Sequence, residues 1–444
     1  AQASRHVAIV EAEHAAIRAR DWHDELIVEP LIEHHLGHVR RPETGRAMPH
    51  EHAACHGQGR SLTVEVRGPE GDPAEGVDLF AVLGGDDGRR QLAGRTDADG
   101  CARFDHDPAL VVEELAVVPP HSFWPLVVER PTERSFVTLV PLPDAVSGTG
   151  WWHRDAGFAA YDPGAGAGIR IGVIDSGIGA HPALAHVADL GAIVDCVALP
   201  DHGHDDRGHG THVCGAIGAR IDDERHHGGL APASNLVSLR VFGDDGSAHQ
   251  ADIALALHAM AHEHDRQLVN LSLGAAQRSQ LVADAVADAD AHGCLVACAV
   301  GNTRGSVEYP AALGATIAVT AYGRLGCAPP GSLAEHRRPA DGTWRADPYF
   351  IAEFCCHGPG IDLAAPGVGI ISTVPGGGWA AYGGTSMAAP QFTGCLAARL
   401  ATDPRYPADQ RSKERSAHAR RIALRHCFDL GLAGDLQGRG RLRG

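Results

Sequence analysis

Residues 169–177 read Ile-Arg-Ile-Gly-Val-Ile-Asp-Ser-Gly, and this stretch decides the fold. Its apolar run fits a strand buried on both faces, as in a parallel sheet covered by helices. The run closes on Asp175, Ser176 and Gly177. Polar residues at that end of a strand face the crevice where open α/β sheets bind their ligands. Similar runs follow at 236–241, 268–273, 295–300 and 316–320, separated by Ala-rich helical stretches. Residues 151–444 therefore read as an α/β domain, a parallel sheet flanked by helices.

Toward the N-terminus the pattern changes. Residues 143–150, Pro-Asp-Ala-Val-Ser-Gly-Thr-Gly, have linker composition. Residues 61–142 read as a small β-sandwich module, because Leu62, Val64 and Val66 alternate with polar residues and further short strands follow. Asp99-Gly100 predicts a hairpin between 94–96 and 102–104. Residues 1–60 read as a helical segment followed by a His-rich loop. The first residues carry no secretory signal pattern.

Composition excludes some functions. The 444 residues carry a formal charge of −17, which argues against nucleic acid, since phosphate binding needs clustered Lys and Arg. No apolar run is long enough to span a bilayer. The 29 histidines scatter along the chain, so its charge changes steeply near about pH 6. The 11 cysteines are odd in number, show no zinc-type spacing, and sit largely in apolar runs. They read as reduced thiols in a cytoplasmic protein, with secretion after processing as the alternative.

Two further motifs carry polar residues into the same crevice. Asp206-Arg-Gly-His209-Gly-Thr-His212 places His209 in a glycine-rich loop opening a helix. His212 falls one turn later and points elsewhere, and no third ligand lies at metal spacing. Gly383-Gly-Thr-Ser386-Met-Ala-Ala-Pro390 places Ser386 at the start of an Ala-rich helix, whose N-terminus favours negative charge. Alone, Asp175 and Ser386 are each readable as simple caps.

Together, in the order Asp175, His209, Ser386, these motifs resemble the signature segments of subtilisin-type serine proteases, the subtilases. The resemblance spans residues 151–444. It implies a serine endopeptidase acting through an acyl-enzyme on Ser386, with His209 as general base and Asp175 orienting it. Ala299-Val-Gly301-Asn302 resembles the segment whose asparagine stabilises the oxyanion. Val269–Gly274 resembles the strand where Ser272, Leu273 and Gly274 pair with substrate backbone. Glu308 precedes Tyr309-Pro310, where the family places the floor of the S1 pocket, and a carboxylate there implies a preference for basic P1 residues.

The chain also departs from the family. Gln391 stands where His is common, and Cys214 where a small apolar residue is usual. The stretch from Arg324 to Tyr349 reads as an inserted surface loop near the active site. Ala183 lacks a carboxylate at a common calcium position, although Asp222 and Asp223 leave calcium as an option. No cofactor is required by the chemistry. Two alternatives stay open: a dedicated processing protease for one partner polypeptide, and a silent binding protein with a protease fold. The N-terminal modules would recruit substrate or inhibit.

Overall fold

The computed structural model describes residues 29–36, 60–85, 88–340 and 342–443. The helical reading of residues 1–60 falls mostly outside these. The described part contradicts it, because β1 (Glu33–Leu36) is a strand. Ile32 and His34 turn inward and are buried, while Glu33 and His35 are exposed. Nothing in Glu-His-His-Leu favours a strand by itself. Its partners, described below, impose that conformation.

Seven strands follow: β2 (Arg60–Arg67), β3 (Asp78–Gly85), β4 (Gly88–Arg95), β5 (Cys101–His106), β6 (Val111–Val118), β7 (Leu126–Glu129) and β8 (Arg134–Thr138). They form two sheets, ordered β5-β2-β8 and β4-β3-β6-β7. Leu62, Val64 and Val66 pack with Leu79, Leu83 and Leu115 between them. The Asp99-Gly100 turn exists, with Gly100 at φ 74°, but the expected hairpin does not. After the turn the chain crosses sheets, and β5 pairs with β2 instead of β4. Residues 143–150 are held fast despite their linker composition: Ala145 N–H donates to the Arg225 carbonyl, and Gly148 N–H to that of Glu224.

After α1 (Trp151–Ala156), the remaining chain builds the main sheet. Eight of its twelve strands are β9 (Arg170–Asp175), β10 (Ala188–Val194), β11 (Val197–Leu199), β12 (Asn235–Arg240), β14 (Leu268–Leu271), β16 (Leu295–Ala299), β17 (Thr316–Arg324) and β18 (Leu363–Pro366). The order β10-β12-β9-β14-β16-β17-β18 is parallel throughout, with β11 antiparallel at one edge. Two short strands, β13 (Ala248–His249) and β15 (Leu273–Gly274), stand outside it.

Alternation along the strands feeds two cores, one on each face. Ile171, Val173, Ala297 and Ala299 enter one, beneath α2 (His209–Gly218) and a long helix, Thr385–Ala401. Ile174, Val269, Leu271 and Cys298 enter the other, beneath α3 (Gln250–His258) and α4 (Gln280–Ala291). This is why the parallel strands read as unbroken apolar runs.

The stretch from Arg324 to Tyr349 is not a free loop at the active site. It carries α5 (Leu333–His336) and docks the N-terminal β module. Leu333 N–H donates to the Pro125 carbonyl, Val127 N–H to that of Gly331, and His336 lies against Glu114 and Glu129. The long helix, Thr385–Ala401, is α6, and it is preceded by a hairpin of residues 370–374 and 378–382. Among the described residues no helix is long and apolar enough to cross a membrane.

Candidate active site

Asp175 ends β9, where it pairs with Arg240 of β12 and its carbonyl accepts from Val241 N–H at 2.9 Å, while Ile174 before it pairs with β14. Its side chain is fully buried. Oδ1 accepts from the Ser176 N–H at 2.7 Å and lies 2.6 Å from His209 Nδ1. A carboxylate at Nδ1 selects the tautomer with the proton there, which leaves Nε2 as the basic atom.

A second buried carboxylate, Asp205, sets where His209 stands. Gly208, the N-cap of α2, has no side chain to cap the helix. Asp205 caps it instead. Its Oδ1 accepts from Gly208 N–H at 2.8 Å and its Oδ2 from Thr211 N–H at 2.8 Å. Ser176 Oγ donates to Asp205 and accepts from Gly210 N–H, so the end of β9 is tied to the first turn of α2. The sequence reading missed Asp205. Its one available signal was a carboxylate three residues before a glycine N-cap.

Ser386 stands in the first turn of α6 and is fully buried. Pro390 lies inside this helix and has no N–H, so the Ser386 carbonyl lacks its usual helical donor. Ser272 Oγ supplies one at 2.8 Å. The exchange is mutual, since Ser386 Oγ donates to the Ser272 carbonyl at 3.0 Å. Asn302 caps the same helix from outside: its Oδ1 accepts from Thr385 N–H and Oγ1–H, each at 3.0 Å. With Oδ1 so held, the amide turns its Nδ2 donors away from Thr385.

Leu273 and Gly274 lie opposite β1. The register pairs Leu36 with Leu273 and His35 with Gly274, antiparallel, while β13 pairs with the other edge of β1. The strand expected to receive substrate backbone is thus occupied by the chain's own residues. Their anchoring is extensive. Gln250 accepts from Ile32 N–H and donates to the Pro30 carbonyl, each at 2.7 Å. Glu29 accepts from Ser279 Oγ and, at 2.7 Å, from Gln280 N–H at the start of α4.

Glu308 stands in the slot between the two expected binding segments. A Cβ added to Gly274 would come within 2.6 Å of its carboxylate, and one added to Gly301 within 2.5 Å. Gly301 also has φ 102°, so it must be glycine for two reasons. Burial pushes the Glu308 carboxyl above its ordinary range, opposed by the Thr303 hydroxyl, His35 and Cys356.

Other candidates fall away from the chemistry. His212 stacks on Tyr382 and faces the Ile370 and Ala380 carbonyls through Nε2, away from any metal geometry. Burial raises the Cys214 thiol well above its usual range, which makes it inert. Gln391 is buried, and neither of its amide atoms finds a partner among the described residues. The carboxylate of Asp223 is taken by the Arg225 guanidinium at 2.7 Å, and His181 caps Ala183 N–H.

Known proteins resemble this chain over the part that builds the site. A model described as the Subtilase family matches residues 166–426. Subtilisin Savinase of Lederbergia lenta is 33% identical over 241 residues, 54% of this chain and 79% of that protein. An alkaline protease of Shouchella clausii is also 33% identical over 241 residues, and the matched part spans 56% of its length. Among solved structures, Sphericase aligns with a TM-score of 0.51 and 27% identity, over 62% of this chain and 91% of that one.

Proposed function

The chain belongs to the subtilase family and is a serine endopeptidase; from that premise we propose that Asp175, His209 and Ser386 carry its chemistry, and that its own residues 29–36 restrain it. One observation carries the triad: the 2.6 Å contact of Asp175 Oδ1 with His209 Nδ1, at the crevice where α6 presents Ser386.

His209 Nε2 takes the Ser386 proton as Oγ attacks the scissile carbonyl, then returns it to the leaving amine. Asp175 keeps the imidazole in one tautomer and stabilises the imidazolium. Charge developing on the carbonyl oxygen is met by Asn302 Nδ2 and the N-terminal dipole of α6. Water then repeats the cycle on the acyl-enzyme. Ser272, Leu273 and Gly274 pair with an extended substrate, and Gly301 leaves room for the P1 side chain.

The carboxylate of Glu308 between Gly274 and Gly301 supports a preference for Arg or Lys at P1. β1 between β13 and β15 supports inhibition, because a substrate needs the same edge. The N-terminal β module (61–142), which we read as immunoglobulin-like or transthyretin-like, would remain on the active enzyme. The ten described cysteines are all free and six are buried, which supports a reducing, cytoplasmic setting.

Labelling with a fluorophosphonate tests the reading. Label should enter the wild-type chain after removal of residues 1–36, enter the intact chain slowly, and be absent from Ser386→Ala. Fast labelling of the intact chain would overturn the restraint; label retained in Ser386→Ala would overturn the triad.

A further inference from the structure

α3 does not end as an ordinary helix. After His258 it widens into a π turn over Ala259–Glu263, a feature often found at functional sites. His258 and His262 stack here, with ring centroids 4.3 Å apart. The last turns of α4 face them. His262 Nε2 lies 2.6 Å from Asp288 Oδ2. His292, the C-cap of α4, packs its ring 4.0 Å from that of His262, and its Nδ1 donates to the Asp288 carbonyl at 2.8 Å.

The geometry points to a transition-metal site, of the zinc class, at His258, His262 and Asp288. One donor atom from each of the three lies within 4.8 Å of the others. The 2.6 Å contact of His262 Nε2 with Asp288 Oδ2 already brings a nitrogen and a carboxylate oxygen together, and a divalent ion would sit between such donors. Two nitrogens and one carboxylate oxygen suit zinc, nickel or copper, and not the all-oxygen shell that calcium or magnesium prefers. His292 Nδ1 also lies 3.5 Å from Asp288 Oδ1, beside the carboxylate that would ligate, where outer-shell partners of metal ligands stand. Arg411 donates to the His262 carbonyl at 3.3 Å and therefore engages the backbone of this turn.

The ion would clasp the C-terminal end of α3 to that of α4. Both helices use their opposite ends to grip residues 29–32, through Gln250 and through Ser279 and Gln280. The site takes no part in the chemistry at Ser386.

The test uses the full chain carrying Ser386→Ala, which cannot digest itself, stripped with chelator. Zn²⁺ is titrated by calorimetry, and Co²⁺ by its visible absorption. One equivalent should bind, and Zn²⁺ should raise the thermal midpoint where Ca²⁺ does not. His262→Ala and the near-isosteric Asp288→Asn should each weaken binding about tenfold or more, while His121→Ala should not. If His262→Ala fails to fold, Asp288→Asn decides. Binding absent below millimolar Zn²⁺, or unchanged in these variants, would overturn the site.

Discussion

Ser272 and Ser386 exchange two hydrogen bonds running in opposite directions, hydroxyl to carbonyl each way. The exchange exists because Pro390 removes a helical donor from the Ser386 carbonyl. Asn270 Nδ2 donates to Ser272 Oγ at 2.9 Å, which keeps that hydroxyl aimed. Ser272→Ala should therefore leave a buried carbonyl unpaired and cost about 1–3 kcal/mol of stability. Denaturant unfolding reads this cost. Activity should fall too, because the start of α6 loses the bond that fixes its height against β14.

Asn302 caps α6, and on the proposed mechanism it also donates to the oxyanion; two substitutions divide these roles. Asn302→Asp keeps an oxygen for Thr385 N–H and loses the Nδ2 donor. It should lower kcat by at least about a hundred- to a thousandfold, the worth of the analogous donor in subtilisin, a member of this same family, because the new carboxylate also repels the oxyanion. Asn302→Ala loses the cap as well and should cost about a further 1 kcal/mol of stability. Equal unfolding midpoints for the two variants would refute the capping role.

The parallel sheet was legible in the sequence because its strands are buried on both faces. A run such as 169–174 has no polar face to confuse with a helix. Asp175, His209, Asn302 and Ser386, the residues proposed to carry the chemistry, stood out in the sequence because each sits in a short segment rich in small neighbours. Asp205 was not, since it stands beside Asp206, and adjacent carboxylates look alike until one turns inward. β1 was illegible for a different reason. Glu-His-His-Leu lacks an apolar alternation, and it becomes a strand because β13 and β15 offer it two edges. The same holds for residues 325–349, whose partner, the β module, lies far off in sequence.

Glu308 should give the enzyme a pH-dependent preference. The raised carboxyl holds its proton to a higher pH than an ordinary carboxylate. Attraction for Arg at P1 needs the ionised form. The preference for Arg over Leu is thus full at high pH and is lost as pH falls through the raised value, above the ordinary carboxylate range. Glu308→Gln should lower that preference about ten- to a hundredfold and flatten its pH profile. The ratio of kcat/KM for matched Arg and Leu peptides, followed against pH, is the measurement. A wild-type ratio that stays level with pH would remove Glu308 from the specificity.

Acid should loosen the restraint. His34 is buried in the docked strand, facing the Ile32 and Ala248 carbonyls and flanked by His35, and burial lowers its pKa to about 4. Released into water it returns to the ordinary value of about 6.5. The docked state therefore binds fewer protons than the released one between these values. Docking is at full strength above about pH 6.5 and weakens progressively as pH falls toward about 4, by about 3 kcal/mol in all. Amide exchange of residues 32–36 in the Ser386→Ala chain, corrected for intrinsic rates, reads this directly without interference from His209 in turnover. Protection should fall across that window in the parent and hold level in His34→Leu. Protection that stays constant in the parent would mean that His34 is not what ties the segment to pH.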